Sequence, residues 1–253
     1  MGLYRAEGIV LANRDLGEAD RIVVLFCRDQ GRLEAVARGA RRPRNRLVGL
    51  TLPFNFLRIS LFSGRGLDEV SQVEGIRSFQ GLRGDLLLLA YASYVAELTS
   101  EFLPEREPNP GIFALLLESL GALEDGRDPE EVTGFFTPRL LEGTGFRPAL
   151  DRCLACGRAP DPGEPCNFSP VEGGIYCRAC APGGSDSMPL SGAARAALRR
   201  ALEGDRGFLV ALAPAERRAV QRLLRSFAEV RLDKELRSLR FLTGLLAEDR
   251  GET

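Results

Sequence analysis

Four of the six cysteines fall into two matched pairs, Cys153-x2-Cys156 and Cys177-x2-Cys180, with 20 residues between them. A Cys-x-x-Cys turn aims two sulfurs at one point. Two such turns complete a tetrahedral thiolate shell with metal–sulfur distances of about 2.3 Å, the arrangement of structural zinc sites. Gly157 follows the first pair, where the tight turn asks for a permissive backbone, and Gly173-Gly174 precede the second, where the ribbon must turn back. Four sulfurs leave no open coordination position, so the expected cofactor is one structural Zn2+ per chain, not a catalytic metal. Two disulfides and a redox dithiol are the competing readings. Disulfides do not suit a chain that reads as cytoplasmic, and a redox motif would sit beside a βαβ pattern that is absent here. Zinc deaminases also use a Pro-Cys-x-x-Cys turn, but neither pair follows a proline. Cys166 is expected to be a free loop cysteine, and Cys27, ending an apolar run, a core residue.

The second concentration of chemistry is basic. Arg38, Arg41, Arg42, Arg44 and Arg46 place five guanidinium groups within nine residues, and Gly39, Pro43 and Asn45 make the segment a loop. Like charges so close repel by up to ~1 kcal/mol per near pair in water. Phosphate relieves that repulsion, and guanidinium forks match its oxygens in a bidentate way. The loop is therefore read as a nucleic-acid-contacting site, against the plainer reading of solvated surface. Arg217, Arg218, Arg222 and Arg225 lie off the apolar face of a helix and form a possible secondary DNA-binding set, equally readable as a wet helix face.

These residues need elements to hold them. Residues 3–79 read as five short strands: Leu3–Leu11, Arg21–Cys27, Arg32–Ala37 after an Asp29-Gln30-Gly31 turn, Leu50–Phe62 with a bulge near Leu57 or Arg58, and Leu67–Phe79. Five strands in so short a span fit a small closed barrel, OB-like or SH3-like. Helical periodicity follows over Leu82–Leu103 and Gly111–Glu124, then in a helix capped by Asp128-Pro129 that Pro138 should kink or split. Residues 151–189 are rich in Cys, Pro and Gly and cannot build a hydrophobic core alone. Helices resume from Ser191 to about Glu203, over Pro214–Leu232 with Val220, Leu223, Leu224, Phe227 and Val230 on one face, and over Glu235–Ala247. The fold class expected is α+β: an OB-like barrel (1–80), a helical domain in two parts (81–150 and 190–253) and an inserted four-cysteine, zinc-ribbon-like segment (151–189).

Absences bound the function. The chain has no histidine, and lysine occurs once, at Lys234, against 33 arginines. Histidine-based acid–base or triad chemistry is thereby excluded, and no Walker-type loop is present. No apolar run is long enough to span a membrane and no leader segment is evident, so a cytoplasmic protein is expected, and the missing chemistry predicts that it is not an enzyme. The four segments carry net charges of +4, −7, −2 and +4, so two basic ends flank an acidic middle. A single-sign field at each end suits a polyanionic partner.

Several stretches carry a family resemblance. EGIVLANRDLGEADRIVVLFCRDQGRLEAVARGARRPRNR (Glu7–Arg46), YVAELTSEFLPEREPNPGIFALLLESLGALEDG (Tyr94–Gly126), RLLEGTGFRPALDRCLACG (Arg139–Gly157) and ELRSLRF (Glu235–Phe241) resemble, in this order, the RecO recombination-mediator family. The resemblance implies an OB-fold, a helical domain and a zinc-binding segment. It implies DNA repair and recombination through binding of single- and double-stranded DNA and annealing of complementary strands. It also implies partnership with RecR and single-strand-binding protein in loading RecA. Independently of it, a barrel with a zinc ribbon also suits an RNA-binding or translation-associated factor, which competition between DNA and RNA would separate.

Overall fold

The computed structural model describes residues 2–182, 187–209 and 212–249. Its fold is α+β, and its residues group into two compact units, Met1–Gly126 with Phe241–Thr253, and Arg127–Arg240.

The first unit begins with a closed five-stranded barrel in the order β1-β2-β3-β5-β4, formed by β1 (Leu3–Leu16), β2 (Asp20–Cys27), β3 (Gly31–Ala37), β4 (Phe56–Phe62) and β5 (Asp68–Arg77). A single turn of helix, α1 (Leu47–Leu50), stands between β3 and β4. Alternation explains the barrel: Val23, Leu25 and Cys27 of β2, Leu33, Ala35 and Ala37 of β3, and Leu57, Ile59 and Leu61 of β4 all enter one buried cluster. Cys27 is core, as expected. The expected bulge near Leu57 is present, although the extra residue lies on β5, where Phe56 pairs with Arg77 and Leu57 with Gly75.

The fourth strand starts six residues later than the alternation of Leu50–Phe62 predicts. Phe54 takes a positive φ of 75° and donates its N–H to Val10 O at 2.7 Å, while Asn55 accepts from Val10 N. The segment is thus a buried turn pinned to β1. Phe54 and Phe56 are both core.

Closure between β3 and β5 is thin, with Ala35 opposite Asp68 and Val36 opposite Glu69 in the parallel register. The rest of that β3 edge is met by residues 103–107. Arg32 bridges Glu105, Arg106 N donates to Arg32 O at 2.8 Å, and the Arg32 guanidinium donates to Leu103 O at 3.0 Å. Gly31 permits this approach: it sits at φ +69, and a Cβ there would lie 2.5 Å from the Glu107 backbone.

The stretch predicted as one helix over Leu82–Leu103 divides into α2 (Gly81–Gly84) and α3 (Leu86–Phe102). Asp85 leaves the helical region and caps α3 through Leu88 N, which splits the two. Next comes α4 (Pro110–Glu124), capped by Asn109. Its Phe113 ring lies 5.6 Å from Phe26 and 5.8 Å from Phe56, fastening the helix to the barrel wall.

The second unit holds α5 (Pro129–Gly143), a sheet of β6 (Cys166–Ser169), β7 (Gly174–Cys177) and β8 (Met188–Leu190) in the order β7-β6-β8, then α6 (Gly192–Leu202) and α7 (Pro214–Leu232). The last helix, α8, runs Arg237–Asp249. Pro138 does not split α5. Val132 and Phe136 before it and Leu140 and Leu141 after it are all buried, so packing on both sides offsets one lost backbone bond. On α7 the predicted face is buried except at Val230, which is exposed near the helix end.

Candidate metal centre and nucleic-acid interface

The Cys-x-x-Cys turns converge. The sulfurs of Cys153, Cys156, Cys177 and Cys180 all lie within 4.8 Å of one another, with Cys156 and Cys177 3.9 Å apart. A tetrahedron with metal–sulfur bonds of about 2.3 Å has edges of roughly 3.8 Å, so the donor set fits a single tetrahedral cation. The sulfur spacing is far too long for a disulfide, whose bond is about 2.05 Å.

The first turn is closed by Gly157 N donating to Cys153 O at 2.9 Å, with Gly157 at φ +72. The second hangs from the end of β7, where Cys180 N donates to Cys177 O at 3.0 Å. Burial pushes the Cys153 thiol up, but backbone N–H groups of Cys156, Cys177 and Ala155 outweigh it and bring it down to about 6. Cys177 is likewise lowered against its burial, by the Cys180 thiol and the N–H groups of Cys180 and Ala179. Cys180 is pushed up to about 12, mainly by hydrogen bonds with the Cys177 and Cys156 sulfurs. Thiols crowded in this way share protons that a divalent cation would displace. Arg158 bonds both Glu164 and the Cys177 sulfur, setting a positive charge beside the cluster.

Cys166 is not a loop cysteine. It begins β6, is buried, and stands opposite Cys177 in the strand register. Its inward position follows from the same alternation that buries Phe168. Arg195, itself buried, bonds the Cys166 sulfur at 3.8 Å and the carbonyls of Pro160 and Asp161 at 3.1 and 2.6 Å. That arginine ties α6 to the cysteine segment, and nothing in its sequence context distinguishes it from the arginines around it.

The structure separates the loop arginines into two groups. Arg38 is bonded to Glu69 at 2.6 Å and lies 4.0 Å from Asp20. Arg41 pairs with Asp15 at 3.3 Å and donates to Gly17 O at 2.6 Å. Arg42, Arg44 and Arg46 are exposed and have no carboxylate partner among the described residues. The backbone beneath them is ordered: Gly39 N bonds Asp20, Asn45 N bonds Arg42 O, and the Asn45 side chain accepts from Leu47 N.

Of the helix set, Arg218 and Arg222 are exposed, while Arg217 and Arg225 are half-buried. Arg217 donates to Leu212 O at 3.0 Å, behind the first turn of α7.

Sequence reasoning did not reach Asp68, Tyr4 and Arg106. Asp68 is buried and accepts from Tyr4 Oη, from Arg106 Nη2 at 2.7 Å and from Gly64 N at 3.2 Å. Burial raises its carboxyl, but these three donors hold it below the ordinary value. Asp68 opens the polar strand β5 (DEVSQVEGIR), so nothing in its sequence context marks it as buried.

A small β-barrel bearing an ordered basic loop, with a helical segment that carries a four-cysteine cluster able to hold a metal ion, defines a class of barrel-based proteins. Within it, residues 1–79 match the family described as Recombination protein O N terminal, and residues 83–240 match Recombination protein O C terminal. The chain is 43% identical over 249 residues to a DNA repair protein RecO of Symbiobacterium thermophilum, covering 97% of this chain and 98% of that one. It is 39% identical over 244 residues to the DNA repair protein RecO of Desulforudis audaxviator, covering 96% and 97%. The chain belongs to the RecO family of DNA repair and recombination proteins.

Proposed function

We propose that this chain is a recombination mediator that binds single- and double-stranded DNA, anneals complementary strands and, with RecR, helps load RecA onto strands coated by single-strand-binding protein. It works without catalysis, in the cytoplasm at the nucleoid. Annealing needs no bond to be made or broken. It needs phosphate charge to be neutralised so that two polyanions can approach. The observation that carries this reading is the set of exposed guanidinium groups of Arg42, Arg44 and Arg46, without carboxylate partners among the described residues, on an ordered loop of the barrel. In this reading the barrel (1–80) supplies the principal contact, and Arg218 and Arg222 of the second helical part (190–253) a secondary one.

The residues of the four-cysteine segment (151–189) fit Zn2+, which Cys153, Cys156, Cys177 and Cys180 would hold. The ion supplies folding energy, not chemistry, because its four positions are filled by protein.

The test is annealing of complementary strands coated with single-strand-binding protein, in the absence of ATP and with RecR added. Acceleration by the chain is expected. No acceleration, or displacement from DNA by a small excess of RNA, would overturn the reading in favour of an RNA-binding factor.

A further inference from the structure

We propose that the barrel carries a track for unpaired DNA, running from the arginine loop across the outer face of β1, β4 and β5 to a base-stacking platform at Phe62. This rests on the DNA-binding reading above and adds what that reading lacks, a reason for the site to tell single strands from duplex.

The distribution of charge points there. With Arg38 and Arg41 tied to Glu69, Asp20 and Asp15, positive charge on the β1–β2 side is largely neutralised. Arg46 instead borders an open groove lined also by Arg5, Leu47, Leu50, Ser60 and Gln72. Arg5 is exposed and, like Arg46, has no carboxylate partner among the described residues. The neighbouring Arg58 is held by Glu7 and Glu74, which makes the Arg58 end of the groove close to neutral. A phosphate chain entering at Arg46 is therefore drawn past Arg5, along the row where Arg5 faces Ser60 and Ser60 faces Gln72.

The next outward row, two residues along each strand and about 7 Å away, carries Leu3 and Phe62, with Glu69 opposite Phe62 on β5 and neutralised by its bond to Arg38. Leu3 and Phe62 are cross-strand partners, and they are 57% and 47% exposed. The Phe62 ring lies nearly half open on the outside of the barrel, on the face of β4 opposite the buried cluster. Beyond it the β4–β5 loop places exposed Leu67 and Arg65, the latter again without a carboxylate partner among the described residues. Cations at both ends, a polar floor and an aromatic face between them form the pattern that binds single strands: phosphates follow the charges and a base stacks on the ring. Paired bases are already stacked and offer the ring nothing.

The chain has no tryptophan, which makes Phe62→Trp a single-tryptophan reporter at the platform when excited outside the tyrosine band. Fluorescence of that variant is titrated with oligothymidylate, with an abasic strand of the same length and with a blunt duplex. Affinities of the wild type and of Phe62→Ala are measured on the same three ligands. Expected is quenching by oligothymidylate alone, and a loss on the order of ten-fold for Phe62→Ala on oligothymidylate only. Wild-type affinity of Phe62→Ala for oligothymidylate, with no quenching in the reporter, overturns the platform and leaves the arginine-loop reading standing. Equal losses on all three ligands overturn it as well, because the ring would then be acting on phosphate binding or on the fold. Failure of the wild type to bind any of them overturns both readings together.

Discussion

Arg106 Nη2 lies 2.7 Å from Oδ2 of the buried Asp68, and the same guanidinium reaches the Tyr4 hydroxyl at 3.2 Å. The arginine arrives from residues 103–107, which cover the β3 edge that β5 leaves unpaired, and it does so from a left-handed backbone at φ 61. The pair thus joins the seam of the barrel to the segment that covers it. A rigid barrel matters because the arginine loop and the Phe62 face are both mounted on it.

Asp68→Asn keeps the shape but removes the charge that Arg106 and Tyr4 bond. A loss of about 2 kcal/mol is expected, less than for a fully buried pair because Arg106 can rehydrate. The wild type should also show a two-sided pH profile. The Asp68 carboxyl is lowered in the fold, so its contribution is complete above the unfolded value near 4 and is lost as pH falls through the folded one. Tyr4 is raised to about 12, chiefly by burial, so its contribution is complete below pH ~10 and is lost as pH rises from about 10 to 12. Urea unfolding of wild type and variant from pH 2 to 12 checks both limbs. A variant as sensitive as wild type at both extremes would show that other groups set the profile.

Gly31→Ala should be more damaging than its size suggests. The new Cβ meets the Glu107 backbone at 2.5 Å, and the residue must still hold φ +69. Left-handed strain alone costs about 1–2 kcal/mol, and displacement of the covering segment adds to it. Amide exchange at Arg106, whose N–H is bonded to Arg32 O, should accelerate with the loss of stability. Unchanged exchange at that amide would mean that the segment is not held by this approach.

Elemental analysis should find one zinc per chain. Cys156→Ser removes the exposed ligand of the four, and it should reduce metal content and loosen the hairpin of β6 and β7. Structural zinc stabilises model peptides by roughly 10 kcal/mol or more, so even partial loss should be visible in thermal unfolding. A folded protein with four titratable thiols and no metal would refute the site.

The barrel could be read in advance because apolar residues recur at period two along β2, β3 and β4, and the convergence of the four cysteines because two Cys-x-x-Cys turns at this spacing have few other uses. Other features were invisible for a physical reason: they depend on residues that only the fold brings together. Tyr4, Asp68 and Arg106 are far apart in sequence, and none is unusual where it stands. Phe54 continues the alternation of a strand, yet a bond to Val10 turns the chain there. Cys166 resembles a loop residue until β6 is seen to place it opposite Cys177. The same holds for the arginine loop, whose composition announces five charges but cannot tell which of them Asp15, Asp20 and Glu69 neutralise.

That division changes which arginines should matter. Arg42, Arg44 and Arg46 replaced together by Ala should weaken binding to single strands and duplex alike, because phosphate contacts carry no sequence information. Each lost contact should flatten the log–log salt dependence of single-strand binding by about 0.7, so three should change it by roughly 2. Stability should move little, since these side chains are exposed. Arg38→Ala with Arg41→Ala is the internal control. Those two cations already face carboxylates, so their removal should change the slope by less than one contact while lowering stability slightly through the bonds to Glu69 and Gly17 O. Salt titrations of both variants beside Arg218→Ala with Arg222→Ala then rank the surfaces. A wild-type slope in the triple variant, with the loss appearing in the helix pair instead, would move the principal DNA contact from the barrel to α7.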